Sequence, residues 1–210
     1  MSETGQERGM EIIANAAMLL MKFGIKSMTM DDIARQLSIS KKTLYKYVKD
    51  KNDLVVKVMS AIIQEEMNSA NEICDRHENA IDTIFELTQV MSQKFGQTHA
   101  SINYDLQKYH PEAWAIFVDF KENFISDCIR QNLEKGISQG LYRSNLDAYV
   151  ISKVYTAKVE YCFDGETFSP SEYDFKKIHM EMMRYHIRGI ASDDGLEYLK
   201  QKVKQENFEL

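Results

Sequence analysis

Only two prolines interrupt the 210 residues, and each stands where a helix can begin: Pro111 ahead of Glu112-Ala113-Trp114, and Pro170 inside Ser169–Glu172. Proline fixes φ and has no N–H, so it breaks a helix anywhere except in the first turn. With nine glycines and many Met, Leu, Ile, Glu and Lys residues, the chain is predicted to be all-α. Hydrophobic residues make up 44% and charged residues 28%, an ordinary balance for a globular chain able to bury a core at this length. No apolar run reaches the roughly 18 residues of a membrane span. The opening "MSETGQERG" lacks the charged-then-apolar order of a secretory signal, so a cytoplasmic protein is expected.

Three cysteines, Cys74, Cys128 and Cys162, are odd in number and far apart. That spacing suits reduced thiols in helices better than a disulfide framework.

Apolar spacing predicts the helices one by one. Ile12, Ala16, Leu19, Leu20 and Phe23 predict a helix over about 7–23, with Gly24 at its left-handed end. Thr29 can cap a short second helix, with Asp32 as its reciprocal capping partner. After the turn Ser38-Ile39-Ser40, a third helix has Ser40 as N-cap and Ile39 facing Leu44 as a hydrophobic staple. Asp50 can cap a fourth helix reaching towards His77. Further helices are expected over about 80–95, 101–109, 111–135, 148–163 and 170–189, with Gly140 as a stop and Asp147 as a cap. Ser169-Pro170-Ser171-Glu172 reads as a capping box with Pro170 at its first helical position, and the tail can hold one more short helix.

The third helix carries an electrostatic anomaly. Ser38–Lys51 holds five lysines and two tyrosines in fourteen residues of a chain whose net charge is −6. Residues 1–50 contain eight Lys and Arg against six Asp and Glu, whereas the rest contains 18 against 26. A basic front and an acidic body suit different partners. Lys41 and Lys42 stand at the first two positions of one helix and Lys51 at the first of the next. A cation there opposes the helix dipole, at a cost of about 0.3–1 kcal/mol each. Ordinarily a charge run is a solvated face. Here apolar spacing, caps and turn agree on a helix-turn-helix whose amides, ammoniums and tyrosine hydroxyls attract phosphate.

Ala16–Leu54, "AAMLLMKFGIKSMTMDDIARQLSISKKTLYKYVKDKNDL", resembles the N-terminal DNA-binding domain of the TetR/AcrR family of transcriptional regulators. Phe23, Gly24, Thr29, Ile33, Ala34, Ile39, Ser40, Thr43, Leu44, Tyr45, Lys51 and Leu54 carry the resemblance. It implies a helix-turn-helix DNA-binding domain over residues 1–50 and a helical effector-binding and dimerisation domain over 51–210. The DNA contacts it implies are Thr29, Ser40, Lys41, Lys42, Thr43, Tyr45, Lys46, Tyr47 and Lys51, with Thr29 and Lys51 on phosphates and Lys42 able to read a base. Three positions depart from the family pattern: Lys42 stands for a small residue, Ser38 for a turn glycine and Val48 for a phenylalanine. A serine at Ser38 is strained if the site needs positive φ.

For the acidic body the resemblance implies a homodimer whose last two main helices form a four-helix seam, here Val150, Val154, Ile178, Met182 and Tyr185. Pairing two short helices lets a palindrome with half-sites about 34–36 Å apart be read. The resemblance also implies an effector cavity among the middle helices, here Met59, Phe85, Met91, Phe95, Tyr104, Trp114, Phe117, Phe120 and Phe124. Met and aromatic side chains suit an adaptable apolar pocket, although they are also common core residues. The implied function is a repressor released from a palindromic operator by a small, largely apolar effector. The alternative is a helical ligand-binding or scaffold protein without operator binding. An enzyme is not expected, for the sequence has no glycine-rich phosphate loop, HExxH or serine elbow. No cofactor and no metal are expected either, since His77, His99, His110, His179 and His186 show no ligand spacing.

Overall fold

The computed structural model describes residues 3–95, 99, 101–162, 167–169 and 172–206. Among them the secondary structure is helical: α1 (Glu3–Phe23), α2 (Met30–Gln36), α3 (Lys41–Leu44), α4 (Lys51–Arg76), α5 (Ala80–Phe95), α6 (Ile102–Tyr109), α7 (Pro111–Asp119), α8 (Ser126–Ser138), α9 (Ala148–Cys162), α10 (Phe175–Ile190) and α11 (Asp193–Glu206). A π-helical turn, Phe120–Ile125, joins α7 to α8, so the single helix expected from Pro111 to about residue 135 changes its winding midway.

Local signals set most boundaries. Gly24 (φ 88°) and Gly140 (φ 72°) adopt the left-handed conformation that ends a helix. Asp50 Oδ1 accepts from the Asp53 N–H at 2.9 Å and caps α4. The last long helix differs from expectation. It begins at Phe175, where Asp174 caps it by accepting from the Lys176 N–H. Asp174 wins the start because its carboxylate sits beside the free N–H groups of that turn; Pro170 lies outside the described residues.

The chain divides into two compact bodies, Met1–Met67 with Gln97–Phe120, and Asn68–Gly96 with Lys121–Leu210. The first buries Ala16, Leu20, Ile25, Ile33 and Leu44 together with Leu54, Val55 and Val58 of α4 and Ile102, Leu106 and Ala113 of α6 and α7. The division expected at residue 50 therefore falls inside this body, because the apolar face of α4 completes the core of the first three helices. The second body is built on Ile81, Ile84, Phe85, Leu133, Tyr142, Met183 and Ile187. Tyr142 locks it: its hydroxyl donates to Asn132 Oδ1 at 3.0 Å, and its ring lies so close over Gly136 that a Cβ there would come within 2.1 Å.

Candidate nucleic-acid interface

The α2–α3 unit is held by short-range bonds. Thr29 Oγ1 accepts from the Asp32 N–H (3.1 Å), and Asp32 Oδ2 accepts from the Thr29 N–H (3.1 Å). These bonds, the Thr29 hydroxyl first among them, hold the Asp32 carboxyl below its ordinary pKa. After Leu37, Ser38 takes φ 54°. Its N–H donates to Arg35 O at 3.1 Å and the Ile39 N–H to Ala34 O at 3.0 Å, the two bonds of a Schellman turn with serine in the glycine position. Ser40 Oγ then accepts from the Thr43 N–H at 2.9 Å, while Leu44 is fully buried and Ile39 packs on the same core. α3 ends at Leu44. Lys46 and Tyr47, expected at the end of the helix, lie beyond it in a tighter turn, where their N–H groups donate to Thr43 O (3.2 Å) and Leu44 O (3.0 Å).

Exposure sorts the expected DNA contacts. Thr29, Ser40, Lys41, Lys42, Tyr45 and Lys46 are exposed, and Thr43 is half-buried beneath them. Lys41 Nζ lies 2.8 Å from Asp31 Oδ1, and hydrogen bonding to that carboxylate raises its pKa. The acid of α2 thus offsets one of the two cations at the start of α3. Lys42 and Lys46 have no such partner among the described residues. Tyr47 is half-buried, its ring against Gly9 of α1, where a Cβ would stand 2.9 Å from Cδ1. Its carbonyl accepts from Lys57 Nζ at 2.6 Å. Lys51 is half-buried too; burial lowers its pKa, and the Asp105 carboxylate opposes that shift.

The residues expected around an effector are dispersed. Met59 is buried in the first body, with Trp114, Phe117 and Phe120 packed against the same core. Tyr104 is exposed, held outward by Lys108 one turn on. In the second body Phe85 is buried, and Met91 and Phe124 are half-buried. The Phe95 side chain lies outside the described residues. An open cleft lined by Arg143, Asn145 and Asp193 contains none of them. At the expected seam, Val150, Val154 and Tyr185 are exposed, and Ile178 and Met182 are half-buried.

The sequence alone did not point to Asp105. Buried on α6, it accepts from the Lys26 N–H at 3.0 Å and from the Ser101 hydroxyl at 3.2 Å, and so ties α6 to the segment leading into α2. No local pattern announces a pairing across 79 residues of sequence.

Over 189 residues the chain is 25% identical to the helix-turn-helix-type transcriptional regulator YhgD of Bacillus subtilis, covering 87% of this chain and 96% of that protein. Residues 12–58, which contain α2, the turn and α3 entire, match the domain described as bacterial regulatory proteins, tetR family. The chain belongs to the TetR family. A TetR-family regulator from Agrobacterium tumefaciens matches its fold with a TM-score of 0.69 at 18% identity, over 90% of this chain and all of that one. FadR of Bacillus subtilis, solved with stearoyl-CoA, matches with a TM-score of 0.62 at 18% identity, over 86% of this chain and 98% of that one. At such identities the solved structures speak for the fold alone. As a TetR-family member, the protein is a DNA-binding transcriptional regulator and not an enzyme.

Proposed function

We propose that this regulator is a cytoplasmic, homodimeric repressor. Residues 1–50 of each copy bind half of a palindromic operator. Residues 51–210 pair the two copies and take up a small, largely apolar effector that releases the DNA. The observation that carries operator binding is the exposed pair Lys42 and Lys46, beside Tyr45, on a unit whose caps, staple and turn all present that face outward. Thr29, Ser40, Lys41 and Thr43 supply further polar contacts around it, and Tyr47 and Lys51 flank it from partly buried positions. Among the described residues no helix is long and apolar enough to cross a membrane.

For the effector, support comes from the second body, where Phe85, Met91 and Phe124 accompany the buried hydroxyls of Thr88, Ser92, Ser152 and Thr156. An apolar lining with a few polar anchors is the usual make-up of a small-molecule site. The ligand of FadR, a long acyl chain on a polar carrier, makes acyl-CoAs a sensible first panel.

A mobility-shift assay on duplexes from the gene's own upstream region tests the proposal. Lys42→Ala or Lys46→Ala should weaken binding about tenfold, as expected for loss of one base or phosphate contact, with the dimer intact. Unchanged affinity would remove α3 from the interface. A panel acyl-CoA that binds should also release the duplex, and saturation without release would refute the effector's role.

A further inference from the structure

The first body carries a second cationic group that the helix-turn-helix does not use. Lys108 Nζ on α6 donates to Tyr104 OH at 2.5 Å and lies 5.0 Å and 5.5 Å from the ring centroids of Tyr104 and Tyr109. Lys26 Nζ, in the segment between α1 and α2, donates to Tyr109 OH at 3.3 Å and lies 5.0 Å from that same ring. The two tyrosines stand edge to face with centroids 6.3 Å apart. Two ammoniums and two phenols thus form one surface cluster, with Tyr104 55% and Tyr109 38% exposed. Hydrogen bonding from Lys26 holds the Tyr109 hydroxyl below its ordinary pKa.

Its electrostatics are one-signed at the surface. Neither ammonium pairs with a carboxylate among the described residues. The acid next to them in the fold is Asp105, which is buried and engaged with the Lys26 main chain and Ser101. Lys22, over the ring of Phe23 at 5.2 Å, adds a further cation at the end of α1.

We infer that Lys26, Lys108, Tyr104 and Tyr109 form an additional clamp on the phosphate backbone of the duplex, reached from α6 and outside the helix-turn-helix. The inference rests on the DNA-binding reading above. Each phenol that accepts a lysine proton keeps its own O–H to donate, so the cluster offers an oxyanion several donors at once. Lys and Tyr are among the usual donors to DNA phosphates. Position supports the same partner. Lys26 lies three residues before Thr29, at most about 10 Å of chain, so a strand that passes the start of α2 comes within reach of the Lys26 side chain. Asp105 holds that segment to α6 and thereby keeps Lys108 beside Lys26. The cluster lies open on a surface and does not enclose a small anion.

The test compares the full-length protein with its Lys26→Ala/Lys108→Ala double variant, binding a labelled duplex of mixed sequence over a range of salt. Each phosphate contact contributes about 0.9 to the slope of log affinity against log salt. The double variant should lose about 1.8 of slope, so its fall in affinity from about 50 to 200 mM salt should be roughly tenfold smaller than that of the wild type. Lys26→Arg/Lys108→Arg should restore the slope. A cluster that only braces α6 would shift the thermal midpoint and leave the slope unchanged, and that result overturns the clamp while operator binding stands. A wild type with no salt-sensitive binding to any duplex sinks both readings.

Discussion

At the scale of single residues, Ser38 shows a sequence departure turning into a measurable strain. Its place in the turn was visible from the short second helix and the Ser40 cap. Whether the site takes positive φ was not, because serine itself does not demand it. The structure places Ser38 at φ 54° within a Schellman turn. A left-handed conformation costs an L-residue about 1–2 kcal/mol, against about 0.5–1 kcal/mol of extra unfolded-state entropy for glycine. Ser38→Gly is therefore expected to stabilise the protein by about 0.5–1 kcal/mol, raising the thermal midpoint by roughly 2–4 °C for a chain of this size. A lower midpoint on calorimetry would show that the serine side chain contributes more than its strain costs. Lys41 carries the complementary lesson. Its cost at the start of α3 was legible, whereas Asp31, the partner that offsets it, sits ten positions back on another helix.

At the scale of elements, an amphipathic stripe proved to be two faces. Val150, Ile151, Val154, Tyr155, Val159 and Cys162 all recur at helical spacing along α9, yet Tyr155 and Cys162 are buried while Val150 and Val154 are exposed beside Tyr149 and Tyr161. Periodicity marks apolar positions but does not say which of two apolar faces the core takes. α10 has a similar division: Tyr185 points outward while His179 and His186 are buried, His179 beside Ser92 and His186 beside Tyr155. Burial pushes both imidazoles down to about 4, from about 6.5 in an unfolded chain. Between those values the unfolded chain binds more protons. Stability is therefore full above about pH 6.5 and falls as the pH drops towards 4, by about 1.4 kcal/mol per pH unit for each histidine. Urea unfolding at about pH 7 and pH 5 should show a loss on the order of 2 kcal/mol per histidine, reduced in His179→Gln. Equal midpoints at both pH values would contradict the buried, neutral state of these rings.

At the scale of the whole molecule, the exposed tyrosines and valines of α9 and α10 are the natural surface for a second copy. Tyr185 is 73% exposed, Tyr149 and Tyr161 64% each, and exposed apolar patches of this kind mark association sites. A charge at Val154 would be buried without a partner in such a seam. Val154→Asp should shift the mass measured by light scattering from dimer to monomer and weaken operator binding far more than binding to mixed-sequence DNA. A variant that remains dimeric would move the seam to another face.

What the sequence by itself determined was local. The all-α class, the caps at Thr29, Ser40 and Asp50, the stops at Gly24 and Gly140 and the staple of Ile39 on Leu44 rest on interactions spanning five residues or fewer, so a linear reading reaches them. The exposed lysines of the α3 region were legible for the same reason, since the burial of Leu44 and Val48 dictates which side remains outside. Only the tertiary structure decided the rest: that α4, α6 and α7 complete the core of the first three helices, that Asp105 holds Lys26 across 79 positions, and that α9 keeps one apolar face for its own core and leaves the other bare. Those outcomes depend on which surfaces meet when the chain closes on itself, and the free energy of that choice is spread over contacts whose partners no local pattern names.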